Sequence, residues 1–169
     1  MTREITPAPL TRADFAPYGT VIEIPPTGGY AANGGTALRF DDLTELVLTA
    51  PGGRPQMSLM RVTPTALPME CRSMERHPRS SQLFMPFSGR AFLVIVALGP
   101  HAPDPASLRA FRTNGAQGVN FAPGTWHHAA LAIGGPTDFL VIGHASKYAD
   151  CDIAALAGIT IRRPPPDMA

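Results

Sequence analysis

Proline and glycine interrupt this chain so often that the sequence predicts no long helix. The 169 residues contain 19 prolines and 16 glycines, and most of the segments between them are short and apolar. Proline lacks the backbone donor that a helix interior requires, and glycine favours turns. Short strands separated by such turns are typical of a β-barrel or β-sandwich. The sequence therefore predicts an all-β protein of about nine to eleven short strands with almost no helix.

Individual strands are predicted where apolar or alternating segments lie between these turns. Ala91 to Leu98 is apolar on both faces, which is typical of a central strand, and Asp138 to Ile142 is similar. Thr11 to Asp14 fits the capping-box pattern and predicts a short N-terminal helix over Arg12 to Pro17. The other predicted elements are strands at Thr20 to Ile24, Gln56 to Thr63, Gln82 to Met85, Leu108 to Arg112, Val119 to Phe121 and Thr125 to Ile133, an extended segment at Met69 to Glu75, an irregular-to-strand segment at Leu38 to Leu48, a helical turn at Asp152 to Leu156 and an edge strand at Ile159 to Arg162.

Composition narrows the class of protein further. Hydrophobic residues make up 44% and charged residues 16%, so we expect one globular domain over residues 1–169, with a minor C-terminal extension. The net charge of +1, without a basic block, gives no basis for nucleic-acid binding. There is no apolar run of about 18 residues and no apolar signal segment, so we expect no membrane association and a cytoplasmic location. Cys71 and Cys151 fit no metal-binding spacing, and no disulfide is expected between them.

A polar stretch directly precedes the predicted central strand. Residues 75–89 read E-R-H-P-R-S-S-Q-L-F-M-P-F-S-G, with ionisable and hydroxyl side chains in the first half. The spacing Glu75-x-His77-(x)4-Gln82-(x)6-Gly89 matches a motif of cupin barrels, with Glu in place of one His and Gln in place of the Glu. Alternate residues of a strand share one face, so Glu75 and His77 can point into a barrel together.

A second motif supplies another histidine. Gly124-x-x-His127 fits the second cupin motif, although Pro123 is displaced by one position and Leu131 stands where Asn is usual. If the two motifs meet in the barrel, their nitrogen and oxygen donors suit a divalent transition metal. The predicted metal ligands, which are also the catalytic candidates, are Glu75, His77, Gln82 and His127.

Gln82 leaves two interpretations of this pocket open. Glutamine carries no negative charge, so a site with Gln82 binds a metal more weakly than one with a carboxylate at that position. The pocket therefore either holds a metal through ligands that bind it more weakly, or is metal-free and binds an anion.

These stretches and later ones resemble the ureidoglycolate lyase family of the allantoin pathway. The similarity rests on E-R-H-P at 75–78, Q-G-V-N-F at 117–121, W-H-H at 126–128 and D-F-L at 138–140, and it extends from Leu10 to Asp152. It implies a cupin-like β-barrel of the jelly-roll type, usually a homodimer, that cleaves (S)-ureidoglycolate to glyoxylate and urea in purine catabolism. It also implies a divalent metal, nickel or zinc, and no organic cofactor.

The sequence departs from the family pattern at two places. Ala129 follows His128 where the family usually has proline, and Gly143-His144 stands where the family typically has an Asp-Arg pair. If that pair contacts the substrate, the change affects activity or specificity, and His144 is the candidate to compensate.

The chemistry of ureidoglycolate suggests a role for each polar residue. Elimination requires a base for the hydroxyl proton and an acid for the departing nitrogen, and His127 or His77 is the predicted base. Alternation places Arg76 on the face opposite Glu75, which counts against it, and allows only one of His127 and His128 to face the pocket. The substrate-binding candidates are Arg76, Ser80 and Ser81 for the carboxylate, Gln117 and Asn120 for the ureido amide, Phe84 and Trp126 as pocket walls, and His128.

Three other functions compete with the lyase. The first is a hydrolase that releases ammonia from the same substrate. The second is a non-catalytic or differently specific cupin that binds a small carboxylate, although no output domain is evident. The third is a sugar-binding or isomerase cupin, which we rank last because few carboxylates and lysines lie near the motifs.

Overall fold

The computed structural model describes residues 3–165, and their regular structure is almost entirely β. The prediction of an all-β protein is confirmed. The one α-helix among these residues, α1, spans Arg12–Phe15, and the Thr11 hydroxyl accepts a hydrogen bond from the Asp14 amide at its start. Two short 3-10 helices span Asn33–Gly35 and Pro105–Ser107. No helix within the described range is long and apolar enough to cross a membrane. The strands are β1 Arg3–Ile5, β2 Ala8–Pro9, β3 Gly19–Ile22, β4 Tyr30–Ala32, β5 Ala37–Arg39, β6 Arg54–Val62, β7 Met69–Glu70, β8 Ser73–Arg76, β9 Gln82–Pro86, β10 Phe92–Ala97, β11 Arg109–Arg112, β12 Gly118–Phe121, β13 Trp126–His127, β14 Leu131–Ala132, β15 Thr137–Ala145, β16 Asp152–Ala155 and β17 Ile159–Ile161.

Two large sheets carry most of these strands. The first sheet has the order β3-β12-β9-β15-β6, and the second has the order β16-β8-β13-β10-β11-β2, with β14 also paired to β10. A three-stranded sheet, β1-β17-β7, and a small hairpin, β4-β5, complete the described structure. Within residues 3–165 these sheets stay separate and do not close into one hydrogen-bonded barrel.

Two apolar clusters explain how the sheets pack. Phe92 and Val94 of β10 lie in a cluster with Phe84 and Phe139 of the first sheet, so the two large sheets pack face to face. Leu93, on the other face of β10, lies in a second cluster that reaches the three-stranded sheet. Because β10 is buried on both faces, it is the central strand that its continuous apolar sequence predicted.

The C-terminal segments differ from their predictions. Asp152–Ala155, where we expected a helical turn, is strand β16 and pairs with β8. β17, which we expected at an edge, lies between β1 and β7. Ile159 and Ile161 are buried in the second apolar cluster, so this short segment is covered by neighbours that its local sequence does not reveal. The last four residues of the predicted C-terminal extension, 166–169, lie outside the described residues.

Two predicted strands are also shorter or more divided in the structure. The segment from Thr125 to Ile133 forms two strands, β13 and β14, which are both paired to β10 and are separated by residues 128–130. Of the ambiguous segment Leu38 to Leu48, only its beginning belongs to β5, and Leu48 forms an isolated bridge with Ser80.

Candidate functional site

The two polar motifs meet between the large sheets. β13 pairs with β8, and their register places His127 directly opposite Glu75. Gln82 starts β9 in the facing sheet, and its side-chain oxygen lies 3.0 Å from Nε2 of His127. The structure therefore brings together the four side chains that the motif spacing predicted as metal ligands and catalytic residues.

Three of these residues form a compact donor cluster. One donor atom from each of Glu75, His77 and His127 lies within 4.8 Å of the other two. Nε2 of His127 is 3.5 Å from Oε1 of Glu75, and the two imidazole rings are 5.4 Å apart between centroids. The hydrogen bond with His127 holds the pKa of Glu75 below its ordinary value, although burial acts in the opposite direction. Glu75 is therefore an anion at neutral pH.

His127 is held rigidly at the base of this cluster. Its side chain is 1% exposed, and its ring stacks on Phe121 with centroids 4.2 Å apart. Nδ1 lies 3.0 Å from the carbonyl oxygen of Thr125, which accepts its proton. Nε2 then faces only oxygen atoms, those of Gln82 and Glu75. With these acceptor oxygens beside it, Nε2 is placed to carry a proton or to bind a metal ion.

His77 presents its other ring nitrogen to the same place. Nδ1 donates to the main-chain oxygen of Asp150 over 2.5 Å, which fixes the tautomer with the lone pair on Nε2. Nε2 is buried and has no hydrogen-bond partner among residues 3–165. An unpaired buried nitrogen is costly unless a ligand satisfies it. Two imidazole nitrogens and a carboxylate oxygen suit a divalent transition metal, so the residues present fit such an ion.

A cavity of about 370 Å³ adjoins the cluster, with His77 and Gln82 in its wall. This volume suits a small organic molecule. A larger cleft of about 550 Å³, bordered by Arg112 and Arg163, contains none of the predicted site residues. The remaining lining of the smaller cavity comes from β6, from the end of β15 with the segment after it, and from Ser80 just before β9: Gln56, Ser58, Met60, Ser80, Val141, Gly143, His144, Ser146, Tyr148, Asp150 and Cys151.

Asp150 is a residue that the sequence analysis missed. Its carboxylate accepts hydrogen bonds from the Ser80 hydroxyl at 2.6 Å and from the Arg79 amide at 2.7 Å, and its carbonyl holds His77. Nδ1 of His144 lies 3.4 Å from the same carboxylate. Asp150 follows an irregular segment with no motif, so no pattern in the sequence indicated it. His144, by contrast, is the residue that the sequence offers in place of the Asp-Arg pair of the family pattern.

The structure places Arg76 and Trp126 away from this cavity. The Arg76 guanidinium pairs with Asp152 at 2.8 Å and lies over the Trp126 ring, 4.7 Å from its centroid. The Trp126 indole donates to the carbonyl of Gly99 at 2.9 Å, within the second apolar cluster. The alternation argument against Arg76 agrees with this position, since Arg76 points away from Glu75 on β8. Neither side chain lines the cavity.

Three side chains that were predicted to contact the substrate instead form hydrogen bonds within the protein. The Ser81 hydroxyl accepts the amide of Val47, and Gln117 donates to the Glu23 carboxylate at 2.7 Å. Asn120 donates to the hydroxyl of Thr44 and to a neighbouring carbonyl, while its side-chain oxygen is buried without a partner among residues 3–165. These side chains tie loops to the sheets, and none of them lines the 370 Å³ cavity.

Phe84 and His128 also lie outside the cavity wall. Phe84 packs in the first apolar cluster, in edge contact with Phe121 and Phe139. His128 points away from His127, as alternation requires, and borders a separate groove of about 190 Å³. Of the two adjacent histidines, His127 is therefore the one that belongs to the donor cluster.

The fold and the site together define an all-β protein with a small polar cavity beside two imidazoles and a carboxylate. The family model described as ureidoglycolate lyase matches residues 2–161. The chain belongs to the ureidoglycolate lyase family, as the motifs at residues 75–78 and 117–128 indicated.

Individual relatives agree with this assignment. A protein of Burkholderia mallei (strain NCTC 10229) named ureidoglycolate lyase is 46% identical over 134 residues, covering 79% of this chain and 78% of the relative. Proteins of the same name from Burkholderia cepacia and Pseudomonas syringae pv. tomato are 41% and 39% identical and cover 85% and 89% of this chain, and 81% and 88% of their own lengths. A solved dTDP sugar isomerase from Desulfovibrio desulfuricans G20 aligns over 81% of this chain and 82% of its own, with a TM-score of 0.46 and 18% identity, a likeness too weak to carry an argument.

Proposed function

We propose that this protein cleaves (S)-ureidoglycolate to glyoxylate and urea, in the breakdown of allantoin for nitrogen use. The observation that supports this most strongly is the donor cluster of Glu75, His77 and His127 beside a cavity of about 370 Å³. Membership of the ureidoglycolate lyase family supports the same activity.

The reaction requires a proton to move between two atoms on one carbon. That carbon bears a hydroxyl, a carboxylate and the urea nitrogen. Loss of the hydroxyl proton forms the aldehyde of glyoxylate, the carbon–nitrogen bond breaks, and the departing nitrogen takes up a proton to give urea. No water is consumed. A single imidazole beside this carbon can accept the first proton and return it to the nitrogen.

His77 has the geometry for this proton transfer. It borders the cavity, its Nδ1 proton is committed to the carbonyl of Asp150, and its Nε2 lone pair has no partner among the described residues. His127 lies behind it, stacked on Phe121. We therefore assign proton transfer to His77. His127 and Glu75 determine the charge around its ring. Gln82 completes the cluster through its contact with His127.

The same residues would hold a divalent metal such as nickel or zinc, and the Nε2 lone pair of His77 would then bind the ion, so proton transfer by His77 applies to the metal-free pocket. Glu75, His77 and His127 would be the ligands, and Gln82 is a fourth oxygen donor close to them. A bound ion would polarise the substrate hydroxyl and offset the negative charge of its carboxylate. Asp150 and Thr125 would orient the two imidazoles by accepting their Nδ1 protons.

Two properties of the whole molecule form part of the proposal. The face-to-face packing of the two large sheets on one apolar cluster supports a single cupin-like domain of the jelly-roll type, residues 1–169. Cys71 and Cys151 are both free thiols, which suits the reducing cytoplasm.

We also propose a homodimer formed through β6. This nine-residue strand is at the edge of the first sheet, and its Met57 and Leu59 side chains are 73% and 76% exposed. A long unpaired edge with apolar side chains favours pairing with another strand, here that of a second copy. Leu59→Lys should shift the sedimentation of the protein towards the monomer. Ile153→Lys, which alters an equally exposed residue on β16, should leave it unchanged.

A coupled assay tests the activity. Purified protein is incubated with ureidoglycolate, and glyoxylate, urea and ammonia are measured before and after chelation. Glyoxylate with equimolar urea, lost on chelation and restored by a divalent ion, would support both the lyase and its metal. Release of glyoxylate with ammonia and carbon dioxide in place of urea would favour the hydrolase. Turnover no faster than spontaneous decay would overturn the lyase and favour a non-catalytic cupin that binds small carboxylates.

A further inference from the structure

The Asp150 carboxylate and the Ser80 hydroxyl form a paired group in the cavity wall, and the proposed chemistry uses neither of these side chains. Both residues line the cavity, and the Ser80 hydroxyl donates to Oδ2 of Asp150 over 2.6 Å. The Asp150 side chain is 8% exposed and that of His144, beside it, is 2% exposed. The pair is therefore built into the wall, close to His77, whose ring the Asp150 carbonyl holds.

The hydrogen bonds within this pair determine which ligand groups it can bind. An ionised carboxylate only accepts hydrogen bonds, and a hydroxyl that donates its proton has only lone pairs left to offer. The Ser80 proton is committed to Asp150, and Nδ1 of His144 points at the same oxygen. This part of the wall consequently presents acceptors to the cavity, and it suits a ligand group that carries N–H donors.

The charges around the cavity favour one orientation of the substrate. None of the described lining residues is an arginine or a lysine, and Asp150 contributes a carboxylate. The carboxylate of ureidoglycolate would be repelled by Asp150 and attracted to a cation held by Glu75, His77 and His127. The opposite end of the substrate is the terminal amide of the ureido group, which carries two N–H bonds and no charge.

We infer that Ser80 and Asp150 form the subsite that recognises the terminal amide of the ureido group, an inference that rests on the proposed function. Ser80 was predicted as part of a carboxylate cradle, and the direction of its hydrogen bond to Asp150 argues for the opposite end of the substrate. Asp150 thereby has two tasks, because it also orients His77 through its carbonyl.

Two stable ligands that differ in one group test this subsite. Ureidoacetate is the substrate without its reactive hydroxyl, and N-acetylglycine is the same molecule with a methyl group in place of the terminal NH2 group. Binding of both is measured by titration calorimetry to the protein as purified. A subsite of two acceptors should make ureidoacetate bind about tenfold more tightly or better.

Variants of the pair separate this inference from general damage. Asp150→Asn keeps the size and the main-chain carbonyl but replaces one acceptor by a donor, so the preference for ureidoacetate should fall to nearly onefold. Ser80→Ala removes one acceptor, should reduce the preference several-fold, and serves if Asp150→Asn does not fold. Asp42→Asn is the matched control, since Asp42 is exposed and its positive φ of 54° is tolerated by asparagine. Its preference should equal that of the wild type.

The outcomes distinguish this inference from the proposed function. Equal affinity of the wild type for both ligands, or a preference that survives in both Asp150→Asn and Ser80→Ala, would overturn the subsite. Turnover of ureidoglycolate alongside such results would leave the lyase standing. A preference that depends on Asp150, in a protein without turnover, would support the subsite and overturn the lyase.

Discussion

His127 lies directly opposite Glu75 in the antiparallel pairing of β13 with β8, and its Nε2 is 3.5 Å from the Glu75 carboxylate. Directly opposed residues of neighbouring strands project on the same face of the sheet. This one register position therefore joins the two sequence motifs into a single site. A shift of the register by one residue would place His128 on that face instead and separate the imidazole from the carboxylate.

Replacing His127 should abolish activity without unfolding the protein. His127→Ala removes an imidazole from the donor cluster, and we expect a loss of at least about a hundredfold in turnover of ureidoglycolate. The ring is fully buried against Phe121, so the free energy of unfolding should also fall, by about 2–4 kcal/mol. Glyoxylate release and urea denaturation measure the two effects.

The control for this variant is another histidine. His101 is exposed in a loop, and His101→Ala should change neither turnover nor, beyond about 0.5 kcal/mol, the free energy of unfolding. A His127→Ala protein that keeps full turnover would remove His127 from the site. A variant that does not fold at all would assign it a structural role.

Gln82 offers a direct test of the metal. Gln82→Glu places a second carboxylate beside His127, where the glutamine oxygen now lies 3.0 Å from Nε2. The added negative charge should raise the affinity for a divalent ion by about tenfold. Without metal the same change should lower stability, because two carboxylates then lie close together. Calorimetric titration with nickel and zinc would measure the affinity for metal, and thermal melting with chelator would measure the stability without it. An unchanged affinity would argue for the metal-free pocket.

The sequence predicted which residues belong to the site only where the regular alternation of a strand determines their positions. Glu75 and His77 were assigned to one face by their spacing, and Gln82 and His127 by their fit to two motifs. The central position of β10 followed from its apolar residues on both faces. In each case the pattern is local, and the physical rule that translates it into structure is alternation along a strand.

The other residues of the cavity could not be predicted, because their positions depend on contacts distant in the sequence. Asp150 meets Ser80 across seventy positions and belongs to no regular element. Gln117 carries a motif of the family, yet its side chain binds Glu23 from another part of the chain. The strand β16 forms because β8 offers it an unpaired edge, which no feature of the segment itself indicates.

The two cysteines should differ sharply in reactivity. Cys71 is fully buried, and burial raises the pKa of its thiol to about 11. Cys151 is exposed, although partial burial and the nearby carboxylates, Glu75 first among them, raise the pKa of its thiol as well. In the native protein a thiol reagent should modify Cys151 alone, more slowly than free cysteine. Cys71 should react only after denaturation. Equal reaction rates for the two thiols would contradict the structure.

The Glu75 carboxyl should make stability depend on pH. Its hydrogen bond with His127 lowers its pKa in the folded state, so the folded protein binds this proton less readily than the unfolded chain. The resulting stabilisation is complete above the unfolded pKa of about 4.3 and is lost as the pH falls through the lower folded value. Glu75→Gln has no such proton to bind and should lack this dependence.

Urea denaturation of the two proteins, with chelator present and from about pH 6 to about pH 3, measures this difference. The free energy of unfolding of the wild type should exceed that of Glu75→Gln by the largest margin at the upper end, and the margin should narrow towards the lower end. Since the Glu75 side chain is 34% exposed, salt should reduce the margin as well. Parallel pH profiles of the two proteins would show that the contact with His127 does not lower the pKa of Glu75 in solution.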